Sequence, residues 1–258
     1  MLSRGMPFPA PDVPVPWLTT AQMIEVDRAM VEDYRILLMQ MMENAGRTLA
    51  QLARERFLGG DARDRRVVVL AGTGGNGGGA MVCARRLRAW GAAVEVVVTA
   101  PEERLSGVPA HQRDVLRRMG VPLRRAADPG GLAPAELIID GVIGYSLKGA
   151  PRGDAAALIT WANAQAAPTL SLDAPSGVDT STGAVYAPAV RAAATMTLAL
   201  PKEGLRAGDV AALVGELYLA DISVPPELYA GPGLGLTVGA IFAKSDIVRL
   251  TSAMMDGP

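Results

Sequence analysis

The chain has 258 residues, half of them hydrophobic and a fifth charged, with a formal net charge of −1. That is enough apolar chain for one large folded domain, while the balanced charge and 4% aromatic content exclude a nucleic-acid binder that relies on bulk electrostatics or base stacking. One cysteine, Cys83, and one histidine, His111, leave no internal disulfide, no zinc site and no credible Cys–His pair.

The first seventeen residues, MLSRGMPFPAPDVPVPW, are broken by prolines and lack the apolar stretch of a signal peptide. They read as an extended arm, with residues 18–258 forming a single domain. No run reaches membrane-spanning length without Gly, Pro or a charge, so a soluble, cytoplasmic protein is expected. Thr19-Thr20-Ala21-Gln22 is a capping box opening a helix that runs to about Tyr34. A second helix is expected over about 37–57, with Leu38, Met41, Met42, Ala45, Leu49, Leu52 and Ala53 on one face. Its methionines read as core filler or as part of a subunit contact.

Residues 67–71 are an apolar run between charges and glycine, the pattern of a buried strand. Every residue from 72 to 79 is Gly, Thr or Asn, and Met81, Val82, Ala84, Leu87 and Trp90 then recur at helical spacing. Strand, glycine loop and helix form the half-unit with which α/β proteins hold phosphates, because the backbone can approach the ligand and the helix start offers free N–H groups. A glycine-rich turn without a ligand is the competing reading. The loop is not an ordinary dinucleotide fingerprint, since the second strand, 94–98, runs into Thr99-Ala100-Pro101 before any acid. It also lacks the Lys-Ser/Thr of a Walker A loop. Asn76, surrounded by glycines, reads as a side chain aimed into a site. Cys83 falls on the apolar face of the following helix, as a small buried hydrophobe.

A helix over 109–119 has an Arg-rich exposed face, on which His111 is solvated. Strands are expected near 121–124 and over 136–142, 168–173, 193–200 and 216–222, with a helix over 154–166. The tail after Gly231 is glycine-rich and ends in one short apolar segment, 241–250. Alternating strands and helices give an α/β fold, a three-layer Rossmann-like α/β/α sandwich with a mostly parallel sheet.

Ligands of such sheets bind outside the carboxyl ends of the strands. Three features fall there: the Asn76 loop, Asp140 with Gly-Val-Ile-Gly-Tyr-Ser-Leu-Lys-Gly, and Asp173 with Ala-Pro-Ser-Gly-Val-Asp. Either acid could be a helix cap, but two beside a glycine loop point to a site. Lys148, flanked by glycines, could hold a phosphate, tune a carboxylate or be a surface lysine. The available ligands are hard oxygens, which suit an alkali cation, magnesium or calcium rather than soft metals.

These segments resemble the NAD(P)H-hydrate epimerase family, the YjeF N-terminal domain. Leu18-Thr19-Thr20-Ala21-Gln22-Met23 with Asp27 is similar to its L-T-x-x-Q-M-x-x-x-D, and 42–46 matches M-E-N-A-G. Residues 72–80 resemble its G-x-G-N-N-G-G-D-G loop, and Val82-Cys83-Ala84-Arg85-Arg86-Leu87 the helix after it. Residues 140–149 resemble D-A-x-x-G-x-x-x-K-G, and 173–183 resemble D-x-P-S-G-x-D-x-x-x-G. Pro201-Lys202-Glu203-Gly204-Leu205 and Asp221-Ile222-Ser223-Val224-Pro225 resemble its K-P-G-L and D-I-G-I-P turns. The matches run in order across nearly the whole chain.

The resemblance implies an isomerase acting on NADH or NADPH hydrated at the nicotinamide ring. It would interconvert the R and S forms so that a separate dehydratase can repair the S form. It implies a homodimer, and a potassium ion held by Asn76, Asp140 and Ser176. Substrate would contact Gly74, Gly75, Asn76, Gly77, Gly78 and Gly79 of the first loop. It would also contact Gly144, Tyr145, Ser146, Leu147, Lys148, Gly149 and Ala150 of the second, and Asp173. Asp173 is the expected acid/base, and Lys148 the expected charge stabiliser or proton relay. The chain departs from the family loop at Gly75, Gly79 and Ala80, which stand where the family has asparagine, aspartate and glycine. That departure keeps a non-catalytic nucleotide-binding or scaffold protein as the alternative. A dehydrogenase would instead need an acid at the end of the second strand.

Overall fold

The computed structural model describes residues 8–126, 131–132, 134–251 and 254. Two helices open the fold, α1 (Thr20–Glu32) and α2 (Leu38–Leu52). The capping box at α1 forms as expected: the Gln22 N–H donates to Thr19 Oγ1, and the Thr19 N–H donates back to Gln22 Oε1. The second helix keeps α geometry only to Leu52. Its last turn, Ala53–Phe57, widens to π geometry, with the Leu58 N–H reaching the Ala53 carbonyl. That turn sets the Arg54 guanidinium over the Trp90 ring and pairs Arg56 with Glu216.

The sheet is built from β1 (Arg66–Ala71), β2 (Ala93–Val98), β3 (Leu123–Arg125), β4 (Leu137–Gly141), β5 (Thr169–Leu172), β6 (Ala194–Leu198), β7 (Glu216–Ala220) and β8 (Ile247–Leu250). Between them lie α3 (Gly75–Ala89), α4 (Gly107–Arg118), α5 (Gly153–Asn163), and two short helices, α6 (Ala211–Val214) and α7 (Pro226–Ala230). The strand order is β3-β2-β1-β4-β5-β6-β7-β8, parallel throughout except for β8. The short apolar segment near the C-terminus is thus an antiparallel edge strand. Its outer side is covered by the N-terminal arm, where the Arg249 N–H donates to the Pro9 carbonyl and Phe8 packs edge-on against Tyr218.

β1 shows why the sheet must be covered on both faces. Val67, Val69 and Ala71 enter the larger core, with α2, α3 and α4, whereas Val68 and Leu70 enter a smaller core with Leu158 and Ala162 of α5. Alternate residues point to opposite faces, so a strand buried on both reads as a continuous apolar run. The strand order reverses between β1 and β4, which is where doubly wound sheets leave a crevice for ligands. The chains approach closely there. A Cβ on Gly72 would lie 2.0 Å from the Val142 carbonyl oxygen, so only glycine fits.

A candidate active site at the carboxyl edge of the sheet

A cavity of about 410 Å³ opens at this reversal point, walled by α1, the start of α3 and the segments that follow β4, β5, β6 and β7. At its floor stands Asp173, immediately after β5, buried and in the left-handed backbone region at φ 66°. Few residues other than glycine, asparagine and aspartate adopt this conformation, and here the surroundings fix it. They do so through both carboxylate oxygens. Oδ1 accepts from Lys202 Nζ at 2.5 Å, and Oδ2 accepts from the Tyr145 N–H at 3.1 Å. Lys202 is fully buried and uses its remaining protons on Thr197 Oγ1 at 3.2 Å and the Leu198 carbonyl at 2.9 Å.

Lys148 does not reach Asp173. It is exposed and stands outside the cavity wall, as do Leu147, Gly149 and Ala150. The lysine paired with Asp173 is Lys202. That lysine sits in a quoted motif just beyond β6, another carboxyl strand end, which is the signal that could have found it. Gly144, Tyr145 and Ser146 do line the cavity.

The glycine run divides in the same way. Gly74, Gly75 and Asn76 line the cavity, at the N-terminus of α3, where the helix has no side-chain cap. The first N–H groups of α3 are therefore free to meet an anion. Gly77, Gly78 and Gly79 are buried within the helix and absent from the wall. Added Cβ atoms there would lie 2.0 Å from the Gly72 carbonyl oxygen, 2.8 Å from Val108 and 2.9 Å from Leu172. These glycines serve close packing, and Gly79 leaves no room for the family's aspartate without a shift of Leu172. Asn76 Nδ2 donates to the Leu172 carbonyl at 3.1 Å, tying the helix start to the residue before Asp173.

Asp140 is fully buried and binds four donors. Oδ1 accepts from Ser176 Oγ at 2.6 Å and the Val142 N–H at 3.2 Å; Oδ2 accepts from Ser171 Oγ and the Ser176 N–H, both at 2.9 Å. Burial pushes its carboxyl up and these hydrogen bonds pull it down. Among the described residues no ion pair reaches it. Ser176 is thus joined directly to Asp140, whereas Asn76 lines the cavity with its amide nitrogen on the Leu172 carbonyl. No cluster of three or more His, Cys, Asp or Glu suited to a metal occurs among the described residues.

The end of β2 supplies no acid to the cavity. Glu102, the first acid after it, is exposed and paired with Arg113. The feature a dehydrogenase would need is thus missing from the wall. Buried Cys83 and exposed His111 also stand apart from it. No helix among the described residues is long and apolar enough to cross a membrane.

Comparison with known proteins gives a concordant set of matches. The family model described as YjeF-related protein N-terminus matches residues 38–204. An NAD(P)H-hydrate epimerase of Dehalogenimonas lykanthroporepellens is 42% identical over 238 residues, covering 92% of this chain and 93% of its own length. A bifunctional NAD(P)H-hydrate repair enzyme Nnr of Salinibacter ruber is 36% identical over 225 residues, 82% of this chain but 41% of that protein. The crystal structure of the yeast protein ynu0 shares the fold, with a TM-score of 0.76 at 24% identity, over 92% of this chain and 100% of that one.

Proposed function

The chain belongs to the family of YjeF-related protein N-termini, and from that membership we propose that it interconverts the R and S forms of hydrated NADH or NADPH. The observation that carries this reading is Asp173, buried in the cavity wall and fixed between Lys202 and the Tyr145 N–H. The hydrated carbon of the substrate bears a hydroxyl beside the ring nitrogen. Once protonated, the hydroxyl leaves as water and the nitrogen lone pair stabilises the resulting cation. Water then returns to the opposite face and loses a proton to a base. Asp173 handles that proton, and Lys202 holds its carboxylate in place. The N–H groups that open α3 face the cavity beside Thr73 and Gly74, where a substrate phosphate would meet the helix dipole. The S form passes to a dehydratase. Relatives named as bifunctional repair enzymes, of whose length this chain spans about two fifths, support that coupling. A cytoplasmic setting is part of the same proposal.

Asn76, Asp140 and Ser176 are the residues that would hold potassium. When bound, the ion supplies the counter-charge that the buried Asp140 lacks and so stiffens the loops around the cavity. The α1–α2 corner leaves Ile24, Val31, Tyr34, Leu37 and Leu38 exposed, and homodimerisation through it is part of the same proposal. The test is the rate at which the R epimer becomes available to an S-specific dehydratase, in potassium and in lithium at constant ionic strength. Faster conversion in potassium is expected; equal rates would remove the ion from the proposal.

A further inference from the structure

Epimerisation by loss and return of water exchanges protons on both faces of the ring, and one carboxylate at the cavity floor faces one of them. A second carboxylate lines the same cavity. Asp27, on α1, accepts from the Tyr145 hydroxyl at 2.5 Å on Oδ2, and no hydrogen bond from the described residues reaches its Oδ1. The backbone N–H of the same tyrosine donates to Asp173 Oδ2. The length of one tyrosine therefore separates the two acids, Asp27 at its phenolic end and Asp173 at its backbone end. We propose, on the epimerase reading above, that Asp27 is the second proton carrier, serving the ring face opposite to Asp173.

The step balances without any further reactant. Asp27 as the acid gives its proton to the substrate hydroxyl. The C–O bond breaks with its electron pair on the departing water, and the ring nitrogen lone pair forms the C=N bond of the cation. Water adds to the other face and its proton passes to the Asp173 carboxylate. In the reverse direction the two acids exchange roles, and solvent returns the proton between turnovers. The surroundings suit this division. Asp173 is ion-paired with buried Lys202. Asp27 faces Tyr145, Lys202, Asp173 and Tyr229. Burial pushes its carboxyl above the usual range, and nearby Asp173 adds to that, against the Tyr145 hydrogen bond and the Lys202 charge.

The test compares wild type, Asp27→Asn and Tyr145→Phe for R-to-S conversion across pH, with thermal melting as a check on folding. In Asp27→Asn, kcat should fall by about a hundredfold or more while KM changes little. The alkaline limb of the pH–rate profile, where wild type loses activity as Asp27 ionises, should vanish. In Tyr145→Phe that limb should move to higher pH, because a hydrogen bond favouring the charged form is gone. A folded Asp27→Asn protein with kcat within about threefold of wild type and the same alkaline limb would overturn the proposal. If Asp27→Asn does not fold, an unmoved limb in Tyr145→Phe overturns it. An inactive wild type would be a different result, striking the epimerase reading itself.

Discussion

Lys202 directs all three ammonium protons to partners: Asp173, Thr197 and the Leu198 carbonyl. A buried pair of this kind contributes little net stability while intact, yet removing one partner strands a charge in a medium that cannot solvate it. Lys202→Ala should therefore destabilise the fold by about 3–5 kcal/mol in denaturant unfolding. A loss under about 1 kcal/mol would mean that Asp173 finds other compensation. The residue scale also shows what the sequence could convey. Asp140, Asp173, Asn76 and Ser176 were legible because strand ends of a parallel sheet share one edge. Lys148 and Lys202 both lie beyond strand ends in glycine-containing turns, and spacing alone does not say which turn folds inward. The choice is made by the path after β6, where the Leu18 N–H donates to the Pro201 carbonyl and the Glu203 N–H to the Leu18 carbonyl, locking the turn beneath α1.

Helices α2 and α3 meet through small residues. A Cβ on Gly46 would lie 2.4 Å from Val82 Cβ and 2.5 Å from the Gly79 carbonyl oxygen. Gly46→Ala must part the two helices, and a thermal or urea melt should show a loss of about 1–3 kcal/mol. An unchanged melt would mean that the helices separate at no cost. The same contact explains why the glycine run is only partly a loop. Isolated glycines disfavour a helix by about 1 kcal/mol each relative to alanine, so the sequence pattern favours a loop to residue 79. The structure starts α3 at Gly75, because helix packing against β1, β5, α2 and α4 leaves no room for larger residues. Tertiary contact overrides propensity here. The π turn at the end of α2 was illegible for a related reason: the residues its arginines meet, Trp90 and Glu216, are distant in sequence.

At the scale of the molecule, the reversal of strand order between β1 and β4 gathers the ends of five parallel strands, β1, β4, β5, β6 and β7, around one cavity. α1 closes it from above, bringing Asp27 to a wall that strand-end reasoning could not anticipate. The exposed apolar corner of α1 and α2 adjoins this wall through Leu38, so dimer formation would shelter the cavity mouth. Sedimentation at micromolar concentration should show a dimer, and a monomer throughout would contradict that arrangement. The central claim is epimerisation at Asp173, and its most direct measurement is the coupled conversion of the R epimer. Purified protein is mixed with hydrated R cofactor and an S-specific dehydratase, and the absorbance of reduced cofactor is followed for wild type and for Asp173→Asn, whose side chain tolerates the left-handed backbone. The account predicts that wild type accelerates recovery well beyond the spontaneous rate and that a folded Asp173→Asn protein does not. Recovery at the spontaneous rate with wild type, or undiminished acceleration by Asp173→Asn, would contradict it.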